Sequence, residues 1–211
     1  MTIVLCYNYF EYQIRKGLNY MRVCIYGASS AKTDEKYILA VEDLGETLAK
    51  AGHGLVYGAG ANGLMGAAAR GFTKGGGHII GVVPHFFNID GILYDKCDDT
   101  IRTETMRERK QIMEDHADAF VIVPGGVGTF DEFFEILTLK QLGRHQKPII
   151  IYNLFGYYDK MLEFLKVSVA ENFVSDVSLG LFEVISDERE LLSYLNDYKA
   201  SDLTIKDTKY I

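Results

Sequence analysis

Near the middle of the chain, an apolar run, a glycine-rich turn and an amphipathic segment follow one another. The run Phe120–Val123 predicts a buried strand, and Pro124 with three glycines comes directly after it. A helix is predicted from Thr129 onward. The backbone N–H groups of such a turn, together with the positive end of the helix dipole, favour a bound phosphate. The predicted anion-binding residues are Gly125, Gly126, Val127, Gly128 and Thr129.

A carboxylate, Glu132, follows within one turn of the same predicted helix. An acid beside a phosphate is unfavourable unless chemistry or a cation requires it. Thr129 and Glu132 also fit a capping box, in which the two side chains satisfy backbone N–H groups and no ligand is needed. On the residues alone, Glu132 is therefore either a reacting group or part of a helix cap. Three glycines are more than a turn needs, which favours the phosphate site.

Upstream, a predicted helix carries two cations close to its apolar side. Arg109 lies three residues after Met106 and four before Met113, so the three side chains share one face. Lys110 lies next to that face. Cations are uncommon on an inward face unless they are paired or line a cleft. The alternative is that their stems cover the core while their charged ends reach water. We favour a cleft position for Arg109.

Two further turns follow predicted strands and contain residues suited to phosphate or nucleotide contact. Ser29 and Ser30 come after the first strand, and Gly58–Gly63 comes after the second with the spacing G-x-G-x-x-G. A dinucleotide site also requires an acid at the end of the next strand, but the first acid there is Asp90, so NAD is disfavoured. We expect Gly60 to contact a nucleotide, with a purely structural turn as the alternative. Loops that follow parallel strands meet at one crevice.

Composition narrows the class of protein. The chain has 211 residues, 48% of them hydrophobic, and a formal net charge of −7, which argues against binding to nucleic acid or to an anionic membrane. No apolar run has membrane-spanning length. Three widely spaced cysteines predict a reducing compartment, and hence a cytoplasmic location. Neither the cysteines nor the five histidines have metal-ligand spacing, so we expect no metal and no cofactor.

Strand and helix patterns alternate from Met21 onward. This alternation predicts an α/β fold: a Rossmann-like, doubly wound parallel sheet with helices on both faces. We expect residues 1–20 to be an N-terminal extension and 21–196 to be a single nucleotide-binding catalytic domain. Residues 85–102 look irregular. We expect 197–211 to be a charged, loosely held C-terminal tail.

The segments Met106–Lys110 and Pro124–Glu132 together resemble the paired signature of the LONELY GUY (LOG) family of cytokinin riboside 5′-monophosphate phosphoribohydrolases. The likeness extends over about 21–196. It implies hydrolysis of the N-glycosidic bond of a purine nucleoside 5′-monophosphate, AMP or cytokinin-type, to free base and ribose 5-phosphate. It also implies a Rossmann-like homodimer with sites near the subunit interface.

The resemblance also assigns roles to individual residues. Arg109 and Glu132 correspond to the family's catalytic arginine and glutamate. Substrate contacts correspond to Lys110, the segment Gly126–Thr129 and Thr138. Glu132, held ionised by the helix N-terminus and Arg109, would stabilise charge on the ribose, attack C1′ or activate water. The sequence does not choose among these three roles.

The sequence also departs from the family pattern. Where the family usually has three consecutive glycines, this sequence has Gly58-Ala59-Gly60. Residues 85–102 also match the family pattern poorly. These departures leave the preferred base open. The first rival is a non-catalytic nucleotide-binding protein, such as a molybdenum-cofactor carrier of similar fold. A regulatory homodimer that binds a nucleotide and a nucleosidase for a different nucleotide are further alternatives. No motif supports the cofactor chemistry of a lysine decarboxylase.

Overall fold

Strands and helices alternate along the part of the chain that the computed structural model describes, which is residues 20–87, 91–201 and 203–208. The strands are β1 (Arg22–Tyr26), β2 (Gly54–Tyr57), β3 (Ile79–Pro84), β4 (Asp99–Thr103), β5 (Ala119–Ile122), β6 (Ile149–Tyr152) and β7 (Glu183–Ile185). The helices are α1 (Glu35–Lys50), α2 (Gly63–Gly75), α3 (Met106–His116), α4 (Val127–Gln141), α5 (Asp159–Ala170), α6 (Glu188–Asp197) and α7 (Ile205–Thr208). Apart from Tyr20, the predicted N-terminal extension lies outside the described residues.

The seven strands form one parallel sheet in the order β4-β3-β2-β1-β5-β6-β7. The chain builds outward from β1 in one direction and then crosses to β5 and builds outward in the other. This confirms the predicted Rossmann-like, doubly wound fold. The crossover leaves a crevice outside the carboxyl ends of β1 and β5, which is where ligands bind in open α/β sheets.

Helices cover both faces of the sheet, and alternate strand residues point to each face. Val23 and Ile25 belong to the core beneath α1, α2 and α6, whereas Cys24 and Tyr26 belong to the core beneath α3, α4 and α5. Strands that are buried on both sides must be apolar at nearly every position, which explains the continuous apolar runs in the sequence. Each fully buried large apolar side chain contributes about 1.5–3 kcal/mol of transfer free energy.

One strand was missed by sequence analysis, because residues 85–102 were expected to be irregular. β4 pairs with β3 along its whole length, from Ile80 opposite Asp99 to Pro84 opposite Thr103. It is one of the two edge strands, and its exposed positions are polar, as is usual where an open edge faces water. Ile101 is its only aliphatic residue, so the sequence lacks the apolar run that marks the other strands.

The described part of the C-terminal segment is anchored by hydrogen bonds, in contrast to the loose attachment expected for 197–211. Gln141 Nε2 donates to the carbonyl oxygen of Thr208 at 3.1 Å, and Thr208 Oγ1 donates to the carbonyl oxygen of Gln141 at 2.7 Å. Tyr198 Oη donates to the carbonyl oxygen of Gln146 at 2.9 Å. Charge made this segment look solvated, but its uncharged polar groups hold it to the end of α4. Among the helices of the described ranges, none is long and apolar enough to cross a membrane.

Candidate active site

A cavity of about 620 Å³ lies at the carboxyl end of the sheet, where the turns after β1, β2 and β5 meet the start of α3. The predicted site residues that line it are Ser29, Ser30, Gly60, Arg109, Lys110, Gly126, Val127, Gly128, Thr129 and Glu132. Two predicted residues do not line it. Gly125 is buried within the turn after β5, and Thr138 is exposed further along α4.

Backbone hydrogen bonds tie the three turns to one another. Ala28 N donates to the carbonyl oxygen of Pro124 at 3.0 Å, which joins the turn after β1 to the turn after β5. Leu64 N, in the first turn of α2, donates to the carbonyl oxygen of Ala28 at 2.8 Å. The residues that line the cavity are therefore held in place by main-chain contacts and do not depend on a ligand to bring them together.

Arg109 and Glu132 form an ion pair in this cavity. Arg109 Nη1 lies 3.3 Å from Glu132 Oε1, and Arg109 Nε donates to the carbonyl oxygen of Val82 at 3.1 Å. Arg109 is only 8% exposed, which confirms the predicted inward orientation. One edge of the guanidinium is thus fixed to the end of β3, while its other N–H groups face α4 and the turn after β2.

The turn after β2 makes room for that guanidinium. A Cβ atom added to Gly58 would lie 1.7 Å from Arg109 Nη2, a distance that no side chain tolerates. The next residue, Ala59, has a φ of 59°, a left-handed conformation that costs a non-glycine residue about 1 kcal/mol. Ala59, which stands where the family usually has a glycine, therefore adopts a backbone conformation that glycine normally favours.

The environment of Glu132 differs from the expectation that it is held ionised. Burial raises the pKa of Glu132 to about 7, and this effect outweighs the opposing attraction of Arg109. Desolvation disfavours a carboxylate in the interior, so the protonated form becomes accessible near neutral pH. The dipole of α4 does not offset the burial, because Glu132 lies beyond the first helical turn. A carboxyl group with this pKa is suited to proton transfer at neutral pH.

The capping box that was the alternative interpretation of Thr129 and Glu132 is not formed. α4 begins at Val127, two residues before the prediction, and its N-cap is Gly126, which makes no side-chain capping hydrogen bond. Thr129 is the third helical residue and is buried against Gly125, where an added Cβ would lie 2.1 Å from Thr129 Oγ1. Glu132 is therefore free of a capping role and pairs with Arg109 instead.

Two glycines of the turn after β5 face open space. A Cβ atom added to Gly126 or to Gly128 would have no atom of the described protein within 4 Å apart from its own chain neighbours and the adjacent helix backbone. Neither residue has a positive φ, so backbone conformation does not require glycine at these positions either. Both line the cavity at the N-terminus of α4. Glycine leaves the backbone N–H groups accessible here, in a space large enough for a phosphate.

Tyr157 and Tyr158 support this turn from behind, and sequence analysis did not single them out. Tyr157 Oη donates to the carbonyl oxygen of Gly125 at 2.6 Å, and Tyr158 Oη donates to that of Val123 at 2.8 Å. The two bonds fix the main chain between β5 and Gly126. No local pattern could have revealed them, because each contact joins residues more than 30 positions apart.

Lys110 lines the cavity, but its ammonium group already has anionic partners on α4. Its Nζ lies 3.0 Å from Asp131 Oδ2 and also pairs with Glu135. These pairs raise the pKa of Lys110 above its ordinary value, against the effect of its own burial. Lys110 thus joins α3 to α4 directly beside the Arg109–Glu132 pair.

Apolar side chains form the remaining wall of the cavity. They come from α2, the end of β3 and the turn after it, the segment 91–94 and the start of α3, and are Met65, Val83, Pro84, Phe87, Ile92, Leu93 and Met106. The segment 91–94 is held against the turn after β2, since Ala61 N donates to the carbonyl oxygen of Ile92 at 2.8 Å. The cavity therefore combines backbone donors, a buried carboxyl–guanidinium pair and a surface suited to a flat, apolar group. No cluster of possible metal ligands occurs within the described ranges.

Comparisons with known proteins identify the family of the chain. The family model described as "Possible lysine decarboxylase" matches residues 65–195. A cytokinin riboside 5′-monophosphate phosphoribohydrolase of Arabidopsis thaliana is 36% identical over 85% of this chain and 84% of its own. One from Oryza sativa subsp. japonica is 35% identical over 85% of this chain and 74% of its own.

Solved structures with the same fold include a molybdenum-cofactor carrier protein of Chlamydomonas reinhardtii. One structure of it superposes with a TM-score of 0.62 at 26% identity, over 82% of this chain and 93% of that protein. A molybdenum-cofactor binding protein of Rippkaea orientalis has the same TM-score at 20% identity, over 83% of this chain and 94% of its own, and shows the fold alone. By its sequence relatives and its family model, the chain belongs to the LOG family.

Proposed function

We propose that this protein hydrolyses the N-glycosidic bond of a purine nucleoside 5′-monophosphate, either AMP or a cytokinin-type nucleotide. The products are the free base and ribose 5-phosphate. The observation that carries the proposal is the buried Arg109–Glu132 pair beside two glycines whose backbone faces an open cavity. The plant relatives, whose names describe this activity, support the same reaction.

The 5′-phosphate binds to the backbone N–H groups at Gly126–Thr129, and the purine lies against the apolar wall. Binding the phosphate away from the reacting bond orients C1′ toward Glu132. Departure of the base leaves positive charge on the ribose, as in other glycoside hydrolyses. The carboxylate of Glu132 stabilises that charge and accepts a proton from the attacking water. Overall, one water supplies hydroxide to C1′ and a proton to the departing base.

Arg109 acts on Glu132 and does not itself transfer a proton. Its guanidinium is held by the carbonyl oxygen of Val82 and orients the Glu132 carboxyl. It also keeps the pKa of Glu132 lower than burial alone would make it. We assign both residues to catalysis, with Thr129 and the neighbouring backbone in substrate binding. Ser29, Ser30 and Gly60 border the same cavity and are assigned to substrate contact. Thr138, exposed outside it, is assigned a contact only within a homodimer.

The test is chromatography of AMP incubated with the purified protein, beside the variant Glu132→Gln. We expect adenine and ribose 5-phosphate from the wild type, and a rate lowered by about 10²–10⁴-fold in the variant, because the amide cannot accept the proton. Calorimetry with AMP checks that the variant still binds. Turnover by Glu132→Gln at the wild-type rate would remove Glu132 from the mechanism.

The rival function is that of a non-catalytic carrier of a nucleotide or of molybdenum cofactor. The similarity in fold to the carrier proteins favours it. A carrier has no need for a buried carboxyl group with a pKa near neutrality beside its phosphate site, so we rank it second. Tight AMP binding with no release of adenine by the wild type would reverse this order.

We further propose a homodimer, with 21–196 as one catalytic domain and the cytoplasm as its location. Exposed aromatic residues on and after α5, including Phe164 and Phe173, support a subunit contact. Light scattering of the purified full chain measures the assembly directly. A monomer at all concentrations would contradict the homodimer and would remove the proposed role of Thr138.

A further inference from the structure

A second cavity, of about 220 Å³, lies where the end of α4 meets the end of α6 and the chain beyond it. It shares no lining residue with the candidate active site. The side chains that border it are Lys140, Tyr194, Asp197, Tyr198, Lys199 and Ser201. The proposed hydrolysis uses none of them.

Lys140 is the unusual member of this group. It is only 5% exposed, and burial lowers its pKa to about 8. Its Nζ donates to Tyr198 Oη at 3.1 Å and lies 5.3 Å from the centre of the same ring. No carboxylate of the described residues forms an ion pair with it. A buried ammonium without an anionic partner is costly, and two of its three N–H groups remain for another acceptor.

The other groups around the cavity leave that acceptor position to a ligand. Tyr198 Oη already donates to the carbonyl oxygen of Gln146 at 2.9 Å, so its interaction with Lys140 uses it as an acceptor. Asp197 Oδ2 accepts from Ser193 Oγ at 3.3 Å. Lys199 adds a second positive charge at the exposed rim, so the cationic side chains outnumber the one carboxylate. The rings of Tyr194 and Tyr198 pack edge to face, 5.7 Å apart, and supply an apolar wall.

We propose that this cavity binds a small oxyanion of the carboxylate or phosphate type, with the ammonium group of Lys140 as its central donor. The anion supplies the opposite charge that the described residues do not provide in an ion pair with Lys140. A charge-assisted hydrogen bond inside a partly closed cavity is stronger than one at the surface. The volume suits a phosphate or a short carboxylic acid, and the two tyrosine rings favour a carboxylate attached to a flat group.

The test is calorimetric titration of the full-length protein with inorganic phosphate and, separately, with benzoate. Phosphate also has a candidate site at Gly126–Thr129, so the measurement compares the wild type with Lys140→Met, whose stem fills the same space without charge. We expect this variant to lose one of two phosphate sites, or to bind benzoate at least about tenfold more weakly. Lys140→Arg, which restores the charge, should recover most of the affinity. Lys199→Met should weaken binding only by about threefold, because its charge is exposed.

A second measurement needs no variant and so does not depend on folding of Lys140→Met. Acetylation by acetic anhydride, read out by peptide mass spectrometry, should be slower at Lys140 when phosphate or benzoate is present. Exposed lysines such as Lys160 serve as the internal control. Protection by benzoate alone identifies a carboxylate ligand, and protection by phosphate alone identifies a phosphate ligand. Absence of protection by both anions, or unchanged isotherms for Lys140→Met, would overturn the proposal.

Discussion

The two glycine-rich turns that border the main cavity differ in what surrounds their glycines. After β2, a Cβ atom on Gly58 would lie 1.7 Å from Arg109 Nη2, and one on Gly63 would lie 2.4 Å from the carbonyl oxygen of Ala28. After β5, a Cβ atom on Gly126 or Gly128 would meet no atom of the described protein within 4 Å other than those of the adjoining chain. Gly58 and Gly63 are shaped around the protein's own atoms, whereas Gly126 and Gly128 leave space for those of a ligand.

This difference separates two uses of glycine that look the same in a sequence. In the turn after β2, glycine is a packing requirement: it seats the guanidinium of Arg109 and the start of α2. In the turn after β5, it leaves backbone N–H groups accessible from the cavity. Substitution of Gly58 or Gly63 should therefore damage the protein itself, while substitution of Gly126 or Gly128 should damage ligand binding alone.

Gly58→Ala should have the largest effect. The added methyl group displaces Arg109 from Glu132, so we expect kcat/KM for AMP to fall by about 100-fold or more, since small displacements of catalytic groups are this costly. Unfolding in urea should show a stability loss of about 1–3 kcal/mol from overpacking. In an Arg109→Ala background the same substitution should cost less stability. Equal costs in both backgrounds would mean that Gly58 does not seat Arg109.

The second-largest expected effect is on the pH dependence of kcat/KM, which should differ between variants in the two turns. If ionised Glu132 accepts the proton, kcat/KM falls as pH decreases through about 7, by roughly tenfold per unit below it. Arg109 opposes the effect of burial on this pKa, so its displacement in Gly58→Ala should move the acidic limb to higher pH.

The matching control for the pH profile is Gly128→Ala, which does not touch Arg109. Its acidic limb should coincide with that of the wild type, because the surroundings of Glu132 are unchanged. An identical shift of the acidic limb in Gly58→Ala and Gly128→Ala would contradict the distinction between the two turns.

Gly128→Ala should also raise the KM for AMP by about tenfold, because the methyl group enters the space assigned to the phosphate. Stability should stay the same or rise by up to about 1 kcal/mol, since alanine is the better helix former. Steady-state kinetics and urea unfolding on the same sample measure both quantities. An unchanged KM would show that the phosphate binds elsewhere in the cavity.

Tyr157→Phe should have the smallest effect. It removes the hydrogen bond to the carbonyl oxygen of Gly125, and water can replace the hydroxyl because this tyrosine is partly exposed. We expect the KM for AMP to rise about threefold with little change in kcat. Tyr158→Phe is the matched control: its buried hydroxyl supports Val123, so its loss should cost about 1–2 kcal/mol of stability. A larger change in kcat than in KM for Tyr157→Phe would contradict a role in holding the phosphate turn.

Much of the fold could be predicted because its central strands are buried on both faces and are apolar throughout. β4 could not be, since an edge strand satisfies its polar residues with water and carries no apolar run. The start of α4 was placed two residues late, because Gly126 lacks a capping side chain and Thr129 looked like a better N-cap.

The sequence predicted those features of the site in which local spacing decides the orientation of a side chain. It did not predict the features that depend on tertiary contacts. The spacing from Met106 and Met113 correctly placed Arg109 on an inward face. The pairing with Glu132, the burial that raises its pKa and the two tyrosine contacts all depend on segments distant in sequence. For Glu132, the residues alone allowed a helix cap equally well, and only the family resemblance favoured catalysis.

The hydrogen bonds that join Ala28 to Pro124 and to Leu64 also link the cavity to the thermodynamics of the whole domain. Its walls come from three strands far apart in sequence, so no partly folded form with an unpaired β1 or β5 possesses the cavity. A nucleotide that binds there recognises the native state alone. It therefore stabilises the entire sheet against unfolding, and the melting temperature of the protein rises with the logarithm of the nucleotide concentration.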